Sequence, residues 1–171
     1  MGTYIALLRG INIGGHNKIS MSGLKALCEG IGFKNVRTFI QSGNVIFESG
    51  LTEEALIMRL EDALHSMNEK HIAVMVRTAK ELESAIEGNP FGDADPSKVA
   101  ILFFKAPLPE DALNGVTIAG PEEVKISGRE IYIHYPDGMG RSKLKLPAFA
   151  QKGTGRNART VDKLVEMSRG K

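Results

Sequence analysis

Apolar positions in the first half of the chain fall into short extended runs and helically spaced stripes, and they alternate. Tyr4-Ile-Ala-Leu-Leu8 is a continuous apolar run, so Thr3–Leu8 is predicted to be a strand. Leu24, Leu27, Cys28 and Ile31 recur at i, i+3, i+4 and i+7, which predicts an amphipathic helix over 21–31. Ser20 is placed to cap that helix and Gly32 to end it. Val36–Ile40 and Val45–Glu48, rich in β-branched and aromatic residues and separated only by Gln41-Ser-Gly-Asn44, predict a hairpin. Thr52 opens a longer helix with Glu53 and Glu54 in its first turn and an apolar stripe of Leu56, Leu60, Ala63, Leu64 and Met67. A strand over 72–76 follows, and the order strand–helix–strand–strand–helix–strand is that of a ferredoxin-like unit.

Thr78-Ala-Lys-Glu81 is a capping-box pattern and predicts a short helix ending before Gly88. Asn89-Pro-Phe-Gly-Asp-Ala-Asp-Pro96 is turn chemistry throughout and marks a joint between halves. Beyond it, Val99–Phe104 predicts a strand buried on both faces, Pro109–Leu113 a short helix, and Val116–Ala119, Glu122–Ile126 and Glu130–Tyr135 further strands. Pro147 is placed to start a short helix reaching Gln151. Asn157 is placed to cap a final helix with Val161, Leu164, Val165 and Ser168 facing inward. The expected fold is therefore α+β: two ferredoxin-like halves, 1–88 and 97–171, the second diverged and carrying extra C-terminal helices. The two halves are expected to pack as one unit.

Composition adds bounds. The 171 residues, 42% hydrophobic and 25% charged, suit a globular chain, and no apolar run approaches the length of a membrane span. The N-terminus has no secretory pattern, and the single cysteine, Cys28, cannot form an intramolecular disulfide; a cytoplasmic location is expected. Cys28 falls on the apolar stripe of the first helix, so it reads as core filler rather than nucleophile. The net charge of +2 does not by itself imply a nucleic-acid partner. The end of the chain is nonetheless basic: Arg141, Lys143, Lys145, Lys152, Arg156, Arg159, Lys163, Arg169 and Lys171 meet only Asp162 and Glu166.

Candidate chemistry sits on polar, glycine-bearing segments. Arg9-Gly-Ile-Asn-Ile-Gly-Gly-His-Asn-Lys18 joins the first strand to the first helix, where backbone N–H groups and side-chain donors can meet an anion. Gln41-Ser-Gly-Asn44, Gly140-Arg-Ser-Lys143 and the basic loop Lys152-Gly-Thr-Gly-Arg-Asn157 repeat that chemistry. The donors Arg9, Asn12, Lys18, Gln41, Ser42, Asn44, Arg141, Ser142, Lys143, Arg156 and Asn157 form the candidate ligand-binding set. In this reading Arg9 and Arg141 grip the anion, Lys18 and Lys143 supply charge, and Gln41, Ser42 and Asn44 orient the ligand.

Leu8-Arg-Gly-Ile-Asn-Ile-Gly-Gly-His-Asn-Lys18, Val36-Arg-Thr-Phe-Ile-Gln-Ser-Gly-Asn-Val45, Asn89-Pro-Phe91, Gly140-Arg-Ser-Lys143 and Arg156-Asn157 with Thr160 and Lys163 resemble the signature of domain-of-unknown-function family 1697 across essentially the whole chain. The resemblance implies a bacterial cytosolic protein of two ferredoxin-like halves, and it carries no established activity. Family members tend to have tryptophan after the Arg-Asn pair, where this chain has Ala158.

Other motifs fail on spacing. Gly10 to Gly15 has the first spacing of a Walker loop, but His16 and Asn17 follow and Lys18 comes late. Ser142-Lys-Leu-Lys145 has a Ser-x-x-Lys spacing without the rest of the penicillin-recognising pattern. His16, His65, His71 and His134 lack paired metal spacing, and no cofactor or metal is expected. The RNA-recognition aromatic motif is absent. The favoured reading is a binder of a phosphate- or carboxylate-bearing ligand, with a nucleotide or a nucleic-acid backbone foremost. The alternatives are an enzyme acting on a phosphorylated small molecule, with His16 or Ser42 as the nominees for its chemistry, and a protein-interaction module using the basic tail.

Overall fold

β1 (Gly2–Leu8) is the spine of the first of two four-stranded antiparallel sheets. A computed structural model describes residues 1–10, 19–39 and 43–169, and its contacts divide the chain into two units, Met1–Glu83 with Leu164–Lys171, and Ser84–Lys163. In chain order the first sheet comprises β1, β2 (Lys34–Phe39), β3 (Asn44–Ser49) and β4 (Val74–Thr78), with α1 (Met21–Gly30) after β1 and α2 (Glu53–Asn68) after β3. Its spatial order is β2-β3-β1-β4.

Ala6 and Leu8 of β1 join Val45, Phe47, Val74 and Val76 on the face covered by Leu24 and Cys28 of α1 and Leu56, Leu60 and Leu64 of α2. Ile5, Leu7, Ile46, Met75 and Arg77, which alternate with them in register, are buried as well. Burial on both faces is why β1 reads as an unbroken apolar run rather than an alternation. The caps form as the sequence predicts. Ser20 Oγ accepts from the Gly23 N–H at 3.0 Å, and Thr52 Oγ1 accepts from the Ala55 N–H at 3.2 Å. Thr78 and Glu81 exchange reciprocal bonds at 2.9 and 3.0 Å, a complete capping box. That box opens α3 (Ala79–Glu87).

The second sheet comprises β5 (Val99–Phe103), β6 (Glu123–Ser127), β7 (Glu130–His134) and β8 (Thr154–Asn157), in the order β6-β7-β5-β8; α4 (Ala158–Arg169) follows β8. Both sheets therefore place their strands second-third-first-fourth. The arginine positions repeat too. Arg77 pairs with Ile5 and Arg156 with Ile101, each on the fourth strand opposite the first. Both are buried, and each donates through Nη1 to the carbonyl of the preceding residue, Val76 at 3.1 Å and Gly155 at 2.8 Å. Each is followed by a residue that caps the next helix, Thr78 and Asn157.

Between its strands the second unit departs from the first, and three sequence expectations are corrected there. Pro109–Leu113 is not a helix but a run of turns closed by i to i+3 bonds such as Ala112 N–H to Pro109 O. Val116–Ala119 is irregular and pairs with no strand among the described residues. Thr154–Asn157, expected to be a loop, is the edge strand β8. The expected helix from Pro147 is a short 3₁₀ segment, Ala148–Lys152. Its Phe149, with Leu144, Leu146 and Leu108, covers the sheet face that carries Ala100, Ile131 and Ile133.

Asn89-Pro-Phe91 folds as a turn in which Asn89 Oδ1 accepts from the Phe91 N–H, setting the Phe91 ring against His134 at 5.6 Å. Buried Tyr132 on β7 donates from its hydroxyl to Ala85 O at 2.7 Å, satisfying a carbonyl near the end of α3 that the helix leaves unpaired. Tyr132→Phe keeps the ring and strands that carbonyl, so it is expected to cost about 1 kcal/mol in urea denaturation. No measurable change would mean that the bond contributes nothing.

Candidate functional site

Arg141-Ser-Lys-Leu-Lys-Leu146 is the local pattern from which the candidate site is built. After β7 the chain turns at Pro136-Asp137-Gly138, with Gly138 at a φ of 87°, a value that favours glycine. A 3₁₀ turn (Met139–Arg141) follows, and the chain then runs extended from Ser142. In extended backbone side chains alternate between two sides. Leu144 and Leu146 point inward onto the sheet, while Arg141, Lys143 and Lys145 are exposed. Packing of the leucines thus fixes the direction of the cations. The three cations, with Ser142 and Leu144, line a cleft of about 340 Å³ in the second unit.

Residues 117–122, leading into β6, supply the facing wall, and Tyr135 and Asp137 belong to the lining as well. Glu122 is only 9% exposed and accepts from the Ser142 hydroxyl through Oε1 at 2.7 Å. The Leu144 N–H donates to Ser142 Oγ at 3.1 Å, so the hydroxyl is held from both sides. Burial, with the Glu122 carboxylate nearby, pushes the Tyr135 hydroxyl above its ordinary pKa. The turn is tied to the start of β5 by Lys98, whose Nζ donates to Pro136 O at 3.1 Å. The arrangement offers three exposed cations, one fixed hydroxyl and one sheltered carboxylate around a space of small-molecule size.

The other described residues of the predicted set sit on other elements. Arg9 is exposed at the end of β1, where its backbone N–H donates to Ala73 O at 2.9 Å. Asn44 is fully buried and donates through Nδ2 to Phe39 O at 2.9 Å, closing the β2–β3 hairpin. Arg156 is buried on β8, where it donates to Thr154 Oγ1 at 2.8 Å, and burial draws its pKa down to about 10. Asn157 accepts from the Thr160 N–H at 2.8 Å as the cap of α4. Asn12, His16, Lys18, Gln41 and Ser42 lie outside the described residues. Of the predicted set, Arg141, Ser142 and Lys143 come together in the cleft. Lys145 was legible as the next cation of the alternation. Gly120, Glu122, Tyr135 and Asp137 carried no such signal, because their role depends on how separate segments meet.

In the first unit a broader groove of about 700 Å³ runs past Thr3, Arg37, Glu48 and Arg169. Two of its charges have partners: Asn35 Nδ2 donates to Glu48 at 2.6 Å, and Arg169 pairs with Glu83 at 2.8 Å. Among the described residues no three of His, Cys, Asp and Glu gather as a metal site, and no helix is long and apolar enough to cross a membrane.

The family model described as protein of unknown function, DUF1697, matches residues 1–132. The match ends before the Tyr135–Lys145 wall of the cleft. A conserved bacterial protein from Streptococcus pneumoniae has a similar structure, with a TM-score of 0.82 and 26% identity, covering 98% of each chain. No curated protein matches the chain.

Proposed function

Because this chain belongs to the DUF1697 family of proteins of unknown function, we propose its role from the cleft itself: it binds a small phosphate- or carboxylate-bearing ligand between residues 117–122 and 135–145. The observation that carries the reading is the alternation in 141–146, which packs Leu144 and Leu146 against the sheet and leaves Arg141, Lys143 and Lys145 around one cavity. Three cations outnumber the two acids, Glu122 and Asp137, in the lining. Guanidinium and ammonium groups bind oxyanions through charge-assisted hydrogen bonds, and the bidentate fork of Arg141 suits phosphate or carboxylate. A cavity of about 340 Å³ holds a mononucleotide-sized molecule or smaller. The shared strand order of the two sheets supports the accompanying view of the chain as two ferredoxin-like halves.

Calorimetric titration with inorganic phosphate and with AMP tests the reading. Saturable binding is expected, and Arg141→Ala should weaken it about tenfold, as loss of a partly exposed charged contact does. Binding that is absent, or indifferent to Arg141, would remove the proposal. Nucleic-acid affinity falling steeply with salt, with no saturable response to AMP, would instead favour a backbone-binding role.

A further inference from the structure

We infer that Glu122 makes the cleft selective for phosphorylated polyols, such as a sugar phosphate or the ribose phosphate of a nucleotide, over bare phosphate; this rests on the reading of the cleft as an anion site. A carboxylate at the edge of a cation-lined cavity works against anion binding in general, since it repels the charge that Arg141, Lys143 and Lys145 attract. Its placement is nonetheless built in. Glu122 is 9% exposed, its Oε1 is bonded by Ser142 Oγ at 2.7 Å, and Ser142 is oriented in turn by the Leu144 N–H.

The other oxygen, Oε2, lies beside Gly120. A Cβ added there would stand 2.5 Å from Oε2, so any side chain at 120 would close the approach to it. The φ of Gly120 lies outside the left-handed region, so the contact that a side chain here would make is with the Glu122 carboxylate itself. Oε2 is not sealed from solvent, and no side chain among the described residues bonds it. A sheltered carboxylate with a single protein donor has unused acceptor capacity, and a ligand hydroxyl is the neutral donor that fills it. An anionic group on the cations and a hydroxyl on Glu122 Oε2 are both met by one molecule carrying the two. A phosphate dianion answers three cations better than one carboxylate does, which sets the class as phosphorylated polyol.

The test is calorimetric titration of the full chain with ribose 5-phosphate and with inorganic phosphate. The native protein should bind ribose 5-phosphate at least about tenfold more tightly than phosphate. Glu122→Gln, which keeps the shape of the side chain, should weaken ribose 5-phosphate about tenfold and leave phosphate unchanged or tighter, because repulsion is relieved. Gly120→Ala, on an exposed loop, should reproduce the first effect by blocking Oε2, and it serves if the Glu122 variant does not fold. If both probes bind equally, or if the variants weaken both alike, Glu122 is no selector and this inference fails while the anion site stands. If neither probe binds, the anion site fails with it.

Discussion

Gly153→Ala is expected to destabilise the protein by about 3 kcal/mol, lowering its melting temperature by roughly 6–12 °C. Gly153 sits where the 3₁₀ segment meets β8, with φ −87° and ψ 163°, a conformation any residue adopts. The demand for glycine is therefore one of space. An added Cβ would meet Phe104 Cζ at 2.7 Å, Phe104 Cε2 at 2.8 Å and the Phe103 carbonyl oxygen at 3.1 Å. The carbonyl belongs to β5, which is hydrogen-bonded on both sides and cannot retreat. The Phe104 ring is 5% exposed, in the core cluster beside Phe149, so it cannot swing outward without opening the core. Phe104→Leu in the Gly153→Ala background should recover part of the loss, giving a favourable coupling in a double-mutant cycle read by thermal melts. A single-variant cost below about 0.5 kcal/mol would show that the contact is not tight.

That glycine also marks where sequence reasoning stops. Lys152-Gly-Thr-Gly-Arg-Asn157 has no apolar residue and two glycines, so nothing local distinguishes strand from loop. It becomes β8 because β5 offers an open edge, and its glycines admit Phe104 and Leu102, the latter 2.9 Å from a Cβ placed at Gly155. Val116-Thr-Ile-Ala119 is the converse case: its composition favours a strand, yet among the described residues it joins neither sheet. The helices and their caps were legible because apolar stripes and capping side chains act within one or two turns, as Ser20, Thr52, Thr78 and Asn157 do. The candidate site divides along the same line. Arg141, Ser142 and Lys143 announce themselves within one segment. Glu122 meets Ser142 across a separation of 20 residues, which only the fold supplies. Donor chemistry alone also gathered residues whose side chains bond the protein's own groups, notably Asn44 and Asn157.

Cys28 in the native protein is expected to react with iodoacetamide at pH 8 about a thousandfold more slowly than the same thiol in the unfolded chain. It lies fully buried on α1 within the first unit's apolar cluster. Burial, and secondarily the negative charge of Glu29, pushes its pKa from the ordinary 9.0 up to about 12. Only the thiolate attacks, and a rise of that size reduces the thiolate present at pH 8 by roughly three orders of magnitude. The same rise sets the sign of a pH dependence. The folded state holds the proton more tightly than the unfolded state, so the associated stability is complete below pH 9 and is lost progressively as pH rises toward 12. The full loss is about 4 kcal/mol. Cys28→Ala abolishes the effect and leaves a smaller, pH-independent cost from the vacated volume. Added urea, which opens the first unit and restores the ordinary thiol, should quicken the labelling. Rapid stoichiometric labelling of the native protein at pH 8, or identical alkaline melting curves for native and Cys28→Ala proteins, would place the thiol outside the core and undo the packing assigned to α1.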